Sequence, residues 1–195
     1  LIKGFRGLDK EIINTPLELL KQYELSLASV SKKHSAGDDA HSLSSLAHSI
    51  WPSSLGQPKN TSFSTMSQGS AFESILPAIS GSCALMVYVD SARHDLYVAS
   101  TGDSRAVAGY WDERAGRWEV EALSVDQTGR NPAEVRRIQR EHPPEEAPYV
   151  IQRGRVLGGL EPTRAFGDSR YKWDRRTQQR IAEAFLPDKY RRGVP

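Results

Sequence analysis

Leu-Tyr-Val-Ala-Ser-Thr-Gly-Asp-Ser-Arg-Ala-Val, at residues 96–107, is the stretch that decides the fold of this chain. An alternating apolar run breaks at residues 101–105 and then resumes. A period of two is typical of half-buried strands, so the break predicts a connection between two antiparallel strands. This connection carries one carboxylate, Asp103, which makes it the first candidate for chemistry.

Asp103 has two interpretations. A carboxylate supplies a charged oxygen to a hard divalent cation, and the glycine before it, Gly102, removes a side chain that would obstruct the approach. The structural alternative is an aspartate whose side chain accepts hydrogen bonds from the turn backbone, which is common in turns. The spacing alone leaves both open.

Similar runs extend the sheet on either side. Residues 84–89, 95–100, 105–110 and 118–123 are short and rich in Val, Tyr and Leu, so they predict an antiparallel meander. A helix follows to about residue 141, because Asn131 can cap it, Pro132 fits its first position and Glu134 can reach back to the cap's amide. Residues 149–152 and 156–157 predict two more short strands.

Four regions differ in composition. Residues 1–30 are helical by pattern, with an interruption expected near Thr15 and Pro16. Residues 31–70 read as a mobile Ser-rich insertion, and 71–173 as a sheet-rich core. Residues 174–195 predict a charged, exposed helical tail in which Ile181 and Phe185 offer the apolar contacts.

Composition narrows the function classes. The 195 residues carry 26 basic and 24 acidic side chains, a formal charge of +2 that gives no electrostatic case for nucleic-acid binding. One cysteine cannot form an internal disulfide, which suits a reducing compartment. No apolar run approaches the roughly 18 residues that a membrane-spanning helix needs.

Four motifs together resemble the metal-dependent protein phosphatases, the protein phosphatase 2C family. They are Gly-Asp-Ser-Arg-Ala-Val at 102–107, Arg-Ala-Phe-Gly-Asp at 164–168, Ser-Gly-Ser-Cys-Ala at 80–84 and Leu-Ser-Val-Asp-Gln at 123–127. In the last two, Cys83 and Gln127 replace the family's Thr and His. Further matches at residues 131–137, 141–143 and 156–162 look most like its pyruvate dehydrogenase phosphatase branch.

The resemblance implies a fold and a chemistry. The expected fold is α+β: part of a β-sandwich of antiparallel sheets flanked by helices, in four αββα layers. The expected activity is hydrolysis of protein phosphoserine by water activated on Mg²⁺ or Mn²⁺. For the branch, the substrate is the phosphorylated E1 component of pyruvate dehydrogenase in the mitochondrial matrix.

The resemblance also assigns roles to individual residues. Asp103 matches an aspartate that serves an accessory metal. Arg105 and Arg164 are either phosphate clamps or structural arginines that pin loops to carboxylates such as Asp168, and the structural role is favoured. Asp168 is expected to anchor a loop, and Cys83 to be a buried thiol rather than a nucleophile.

No Asp-Gly pair occurs in the chain, although the family holds its two metals through two Asp-Gly motifs. We therefore expect the chain to be an internal part of one catalytic domain, with the main ligands and the phosphate-binding arginine outside it. Alone, the chain should be inactive. The alternative is a non-catalytic relative that binds a partner through residues 164–173 and the basic tail.

Overall fold

The computed structural model describes residues 2–34, 68–187 and 191. Most of the Ser-rich insertion predicted at residues 31–70 lies outside these ranges. The described residues fall into two compact units, the first within Leu1–Arg6 and Gly81–Phe166, the second within Gly7–Ser80 and Gly167–Pro195.

Helices and antiparallel strand pairs together confirm the predicted α+β class. The helices are α1 (Ile2–His34), α2 (Gln68–Ile79), α3 (Pro132–Arg140) and α4 (Arg175–Phe185), with a 3-10 turn at Ser169–Tyr171. The strands are β1 (Gly81–Ser82), β2 (Ala84–Asp90), β3 (Asp95–Thr101), β4 (Val107–Asp112), β5 (Arg117–Ala122), β6 (Ile151–Gln152), β7 (Arg155–Val156) and β8 (Phe166–Gly167). Among the described helices, none is both long and apolar enough to cross a bilayer.

Two hairpins dominate the first unit. Strand β2 pairs with β3, and β4 pairs with β5, each in antiparallel register. Both turns begin at an aspartate: Asp90 accepts backbone N–H bonds from residues 92 and 93, and Asp112 from residues 114 and 115. These side-chain bonds replace ladder bonds at the chain reversal, which is why short polar segments suffice there.

The predicted continuous meander is wrong at one point. In the part of the chain that the structure describes, β3 and β4 do not pair, and each hairpin is a two-stranded sheet. The segment between them bonds instead to residues 123–127: Leu123 donates to the carbonyl of Ala106, and Gln127 donates to that of Gly102. Those bonds satisfy the backbone groups that a tight β3–β4 turn would have used.

The hairpins leave apolar side chains in solvent. Val87, Val89 and Val120 are 51%, 63% and 71% exposed, and the cross-strand pair Trp111 and Trp118 lies edge to face with ring centroids 5.7 Å apart. Exposed apolar side chains favour association with another surface. Both hairpins of the first unit carry such side chains.

Helix α3 begins as predicted but caps itself differently. The Asn131 side chain accepts the N–H of Ala133 at 3.0 Å, and Pro132 takes the first helical position. Glu134 does not reach back to the cap, since its carboxylate bonds to side chains of other segments. The predicted capping box is wrong, because a buried carboxylate with cationic partners gains more from them than from one amide.

Helix α1 is continuous, so the interruption predicted at Pro16 is wrong. Pro16 is fully buried, and the preceding Thr15 hydroxyl donates to the carbonyl of Glu11 at 2.9 Å. A proline inside a helix removes one backbone hydrogen bond and crowds the previous turn. Burial of the ring and the extra side-chain bond offset part of that cost.

The core of the second unit combines α1, α2 and α4. Its buried residues are Leu20, Ala71, Ile75, Ile181, Ala182, Ala184, Phe185 and Leu186. Helix α2 was not predicted, although Ala71, Ile75 and Ala78 follow a helical spacing.

Helix α4 is not the exposed tail expected from its charge, because Ile181 and Phe185 are 1% and 0% exposed. Its apolar residues cluster in the last two turns and form one packing face.

Candidate active-site turn

The segment between β3 and β4 forms a sharp turn around Gly102, which has a φ of +98°. A β-carbon at this position would lie 2.2 Å from the sulfur of Cys83 and 2.7 Å from its Cβ. Glycine is required both for the positive φ and for this approach. The turn therefore presents the next residue, Asp103, at one fixed point beside β2.

Gln127 holds the same turn from the other side. Its backbone N–H donates to the carbonyl of Gly102 at 2.9 Å, and its side-chain oxygen accepts the N–H of Gly102, also at 2.9 Å. Its side-chain nitrogen donates to the carbonyl of Ser100 at 3.3 Å. Both backbone groups of Gly102 are thus bonded to one residue.

Asp103 itself is exposed. Its carboxylate accepts a hydrogen bond from the Cys83 thiol, with Sγ and Oδ1 3.1 Å apart. This differs from the structural alternative considered for the sequence, in which the carboxylate would accept bonds from the turn backbone. Cys83 is half-buried, so the buried thiol expected from the sequence is wrong.

Arg105 pairs with Asp126, not with Asp168. Its Nε donates to Oδ1 at 2.8 Å and its Nη2 to Oδ2 at 2.5 Å, a fork that uses both carboxylate oxygens. The hydrogen bond from Arg105 lowers the pKa of Asp126. Because the pair is partly exposed, it contributes little to stability, and we assign it the role of aligning the turn.

Arg164 makes the same kind of fork with Glu134. Its Nη2 and Nε donate to the two carboxylate oxygens at 2.6 and 2.9 Å. Arg137 donates to Glu134 at 2.8 Å, and the Thr163 hydroxyl donates at 2.9 Å. Burial alone would raise the pKa of Glu134, but these hydrogen bonds outweigh it and lower the pKa to about 2.

The Asp103 turn and the Glu134 cluster are bonded to each other. The N–H of Thr163 donates to the carbonyl of Gln127 at 2.7 Å, and Arg137 donates to the carbonyl of Thr163 at 3.2 Å. A continuous set of hydrogen bonds therefore runs from Gly102 to the buried carboxylate. Gln127 and Glu134 were not singled out as site residues, although Gln127 closes the Leu-Ser-Val-Asp-Gln motif.

Asp168 belongs to the second unit and adopts a left-handed conformation, with φ of 48°. Its N–H donates to the carbonyl of Ser80 at 2.9 Å, and burial raises the pKa of its carboxyl while nearby Lys172 acts in the opposite direction. The Lys172 ammonium pairs with Asp9 at 2.7 Å, and Asp9 also accepts the N–H of Gly167 at 3.1 Å. The backbone of Asp168, rather than its side chain, therefore makes the hydrogen bond that holds this loop.

The described residues can supply part of a metal site. Within residues 2–34 and 68–187, no three His, Cys, Asp or Glu side chains lie close enough together to hold an ion. A centre of two Mg²⁺ or Mn²⁺ ions needs several carboxylates at fixed spacing. These residues do not fit such a centre, whereas the exposed Asp103 carboxylate fits a single accessory oxygen ligand.

Comparison with known proteins identifies the class. The protein phosphatase 2C family matches residues 24–188, and the chain belongs to that family. This confirms the resemblance inferred from the four motifs.

Several relatives carry names more specific than that of the family. The chain is 59% identical over 97 residues to mitochondrial [pyruvate dehydrogenase (acetyl-transferring)]-phosphatase 1 of Saccharomyces cerevisiae, which covers 50% of this chain and 16% of the yeast protein. It is 50% identical over 112 residues to a protein phosphatase 2C homolog of Schizosaccharomyces pombe, covering 57% of this chain and 24% of that protein. The human mitochondrial phosphatase 1 is 44% identical over 107 residues, covering 55% and 19%. The chain thus spans less than a quarter of each of these relatives.

Proposed function

We propose that this chain is part of a protein serine/threonine phosphatase that hydrolyses phosphoserine, with the E1 component of pyruvate dehydrogenase as its substrate. The observation that carries the proposal is the Asp103 turn, in a chain whose relatives include mitochondrial pyruvate dehydrogenase phosphatases. The names of these relatives support a mitochondrial location, and within the mitochondrion the proposal places the protein in the matrix. Bound Mg²⁺ or Mn²⁺ would supply an activated water, with Asp103 as an accessory ligand.

The two arginines of the family motifs have a different role in this proposal. Arg105 and Arg164 each direct two donors onto a carboxylate, so these donors are not available to a phosphate group. They keep the Asp103 turn and the 163–164 segment in place. The phosphate-binding arginine and the remaining metal ligands are therefore assigned to segments outside this chain.

A chimaera tests the proposal directly. The segment of the yeast phosphatase that matches this chain is replaced by residues 78–173, and phosphate release from a phosphoserine peptide of the E1 component is measured with Mn²⁺ or Mg²⁺. We expect metal-dependent turnover, lowered about tenfold or more by Asp103→Asn. A chimaera that folds with native circular dichroism but releases no phosphate would overturn the proposal.

The isolated chain provides the matched comparison. One carboxylate cannot hold two ions, so the 195 residues alone should neither bind two equivalents of Mn²⁺ in calorimetric titration nor release phosphate. Tight two-site binding with turnover would show that the active site lies elsewhere in the chain.

A second function is favoured by one observation, the lack of any three-ligand cluster among residues 2–34 and 68–187. In that case the chain acts as a non-catalytic, phosphatase-like module that binds a partner through residues 164–173 and the basic tail. Two results together would select this alternative. The chimaera would be inactive, and the natural protein that contains this chain would still co-purify with pyruvate dehydrogenase E1.

A further inference from the structure

We propose that three arginines of the second unit, Arg170, Arg175 and Arg176, form a docking surface for an acidic segment of a partner protein. Arg170 lies in the 3-10 turn, and the other two begin α4. The inference goes beyond the function proposed above, because it concerns binding by the second unit and holds whether or not the chain takes part in catalysis.

A short network of hydrogen bonds fixes the backbone that carries these arginines. The side-chain nitrogen of Gln178 donates to the carbonyls of Arg170 and Trp173, at 3.0 and 2.9 Å. The Asp174 carboxylate caps α4, since it accepts the N–H of Thr177 at 2.9 Å and its hydroxyl at 2.8 Å. The 3-10 turn is therefore held against the first turn of α4. A surface on such a fixed backbone loses less conformational entropy when a partner binds.

Nearby carboxylates do not neutralise the three arginines. All three are exposed, and among the described residues none of them forms an ion pair. The neighbouring cations differ in this respect. Lys172 pairs with Asp9 at 2.7 Å, and Arg180 is paired as well, with Glu24. Asp174 is the one acidic residue between positions 169 and 180, and its carboxylate serves as the helix cap. The three guanidinium groups therefore keep their donors available to a partner.

Two of the arginines are unfavourable for the helix that carries them. The N–H groups in the first turn of a helix carry positive partial charge, so cations there are destabilising and anions are stabilising. Arg175 and Arg176 occupy that turn of α4, which contains no acidic residue. The stability of α4 therefore does not explain their position, whereas a bound carboxylate would compensate the positive charge.

The arrangement suits a run of carboxylates better than one small anion. A guanidinium group binds a carboxylate through two parallel N–H bonds. Successive residues of an α-helix lie about 100° apart around its axis, so Arg175 and Arg176 diverge, and Arg170 adds a third position in the preceding turn. The formal charge of the whole chain is only +2, which favours an acidic peptide over a nucleic acid.

Fluorescence anisotropy with a labelled deca-glutamate peptide tests the proposal on the complete chain. The test variant is the triple substitution Arg170→Gln/Arg175→Gln/Arg176→Gln, which removes three charges and keeps polar side chains. At low ionic strength, its dissociation constant for the peptide should be about tenfold higher than that of the wild type.

A second triple variant is the matched control. Arg114→Gln/Arg136→Gln/Arg153→Gln removes the same charge from three exposed arginines of the first unit, and these also form no ion pair among the described residues. Because its arginine surface in the second unit is intact, the control should weaken peptide binding by less than about twofold.

Thermal unfolding separates a docking role from a structural one. Removal of two cations from the first turn of α4, in Arg175→Gln/Arg176→Gln, should raise the unfolding midpoint of the free chain by about 1 to 4 °C. An arginine that supports the fold would give the opposite sign when it is replaced.

The outcomes that would overturn the proposal are specific. Equal losses of affinity in the two triple variants would show that the peptide responds to net charge alone. A lower unfolding midpoint in the double variant would assign the arginines to the fold. Tighter binding of a ten-residue oligonucleotide than of deca-glutamate would assign the surface to nucleic acid. Each of these results leaves phosphate release by the chimaera, and so the proposed function, untouched.

Discussion

Acid should destabilise this protein through one buried carboxylate. The Glu134 side chain is only 7% exposed, and it accepts hydrogen bonds from Arg164, Arg137 and Thr163. Burial would raise its pKa, but those donors lower it from an ordinary 4.5 to about 2. The folded state therefore binds a proton at Glu134 more weakly than the unfolded chain does.

This difference sets both the sign and the size of the effect. Because the folded pKa is the lower one, the stabilisation is fully present above the unfolded value and is lost as the pH falls from about 5 towards 2. The gap between 4.5 and about 2, at about 1.4 kcal/mol for each pH unit, corresponds to about 3 kcal/mol. That is a large fraction of the stability of a typical domain.

Urea unfolding of the 195-residue chain at a series of pH values between about 7 and 3 measures the effect. The wild-type free energy of unfolding should fall steeply below about pH 5, and Glu134→Gln should be less stable at neutral pH with a much flatter profile. Glu141→Gln is the matched control, since the Glu141 side chain is 60% exposed and bonds only to Arg137 among the groups described here. Parallel profiles for the wild type and Glu134→Gln would refute the reasoning.

Three further predictions, one of them a matched pair of glycine substitutions, test other parts of the structure. In the chimaera, Asp103→Ala should lower turnover without affecting the fold seen by circular dichroism, and an unchanged rate at saturating Mn²⁺ would return this residue to a structural role. Gly167→Ala should cost about 3 kcal/mol in urea unfolding, since φ is +68° and the new Cβ would lie 2.0 Å from the carbonyl oxygen of Ser80. Gly116→Ala, with φ of +59° and nothing within 4 Å, should cost only about 1 to 2 kcal/mol, and equal losses would contradict the steric argument. Val120→Lys, at a side chain 71% exposed, should reduce self-association in sedimentation velocity, whereas an unchanged sedimentation profile would show that this face is not what associates.

Local patterns in the sequence predicted the parts of this fold that local interactions determine. The four long strands lie within two residues of their expected bounds, because alternation and turn chemistry act over a few neighbouring residues. The start of α3 was equally predictable, since Asn131 and Pro132 act on adjacent backbone groups.

Long-range pairings could not be derived in the same way. Arg105 bonds to Asp126 and Arg164 bonds to Glu134, at sequence separations of 21 and 30 residues. A bidentate arginine looks the same in sequence whether it binds a phosphate or a carboxylate. The choice depends on which carboxylate the tertiary fold places within reach.

The core role of α4 was missed for a related reason. Its charged and polar residues together outnumber its apolar ones, so average polarity suggests an exposed helix. Burial is decided instead by where the apolar residues lie, and Ile181, Ala182, Ala184 and Phe185 lie together at one end. In α2, Ala71 and Ile75 are spaced as on one helix face, but Pro77, which is unfavourable inside a helix, argues against a helix there.

The exposed tryptophan pair of the β4–β5 hairpin gives the molecule an intrinsic optical reporter. Trp111 and Trp118 are 52% and 66% exposed, and their rings are close enough for excitonic coupling in the circular dichroism spectrum. Any surface that covers the hairpin would shift their fluorescence to shorter wavelength and shield it from an aqueous quencher. Loss of the hairpin would abolish the coupling and leave the emission red. In a variant whose other two tryptophans, Trp51 and Trp173, are replaced by Phe, this pair of indoles can therefore distinguish a hairpin that is covered from one that has opened, without any added label.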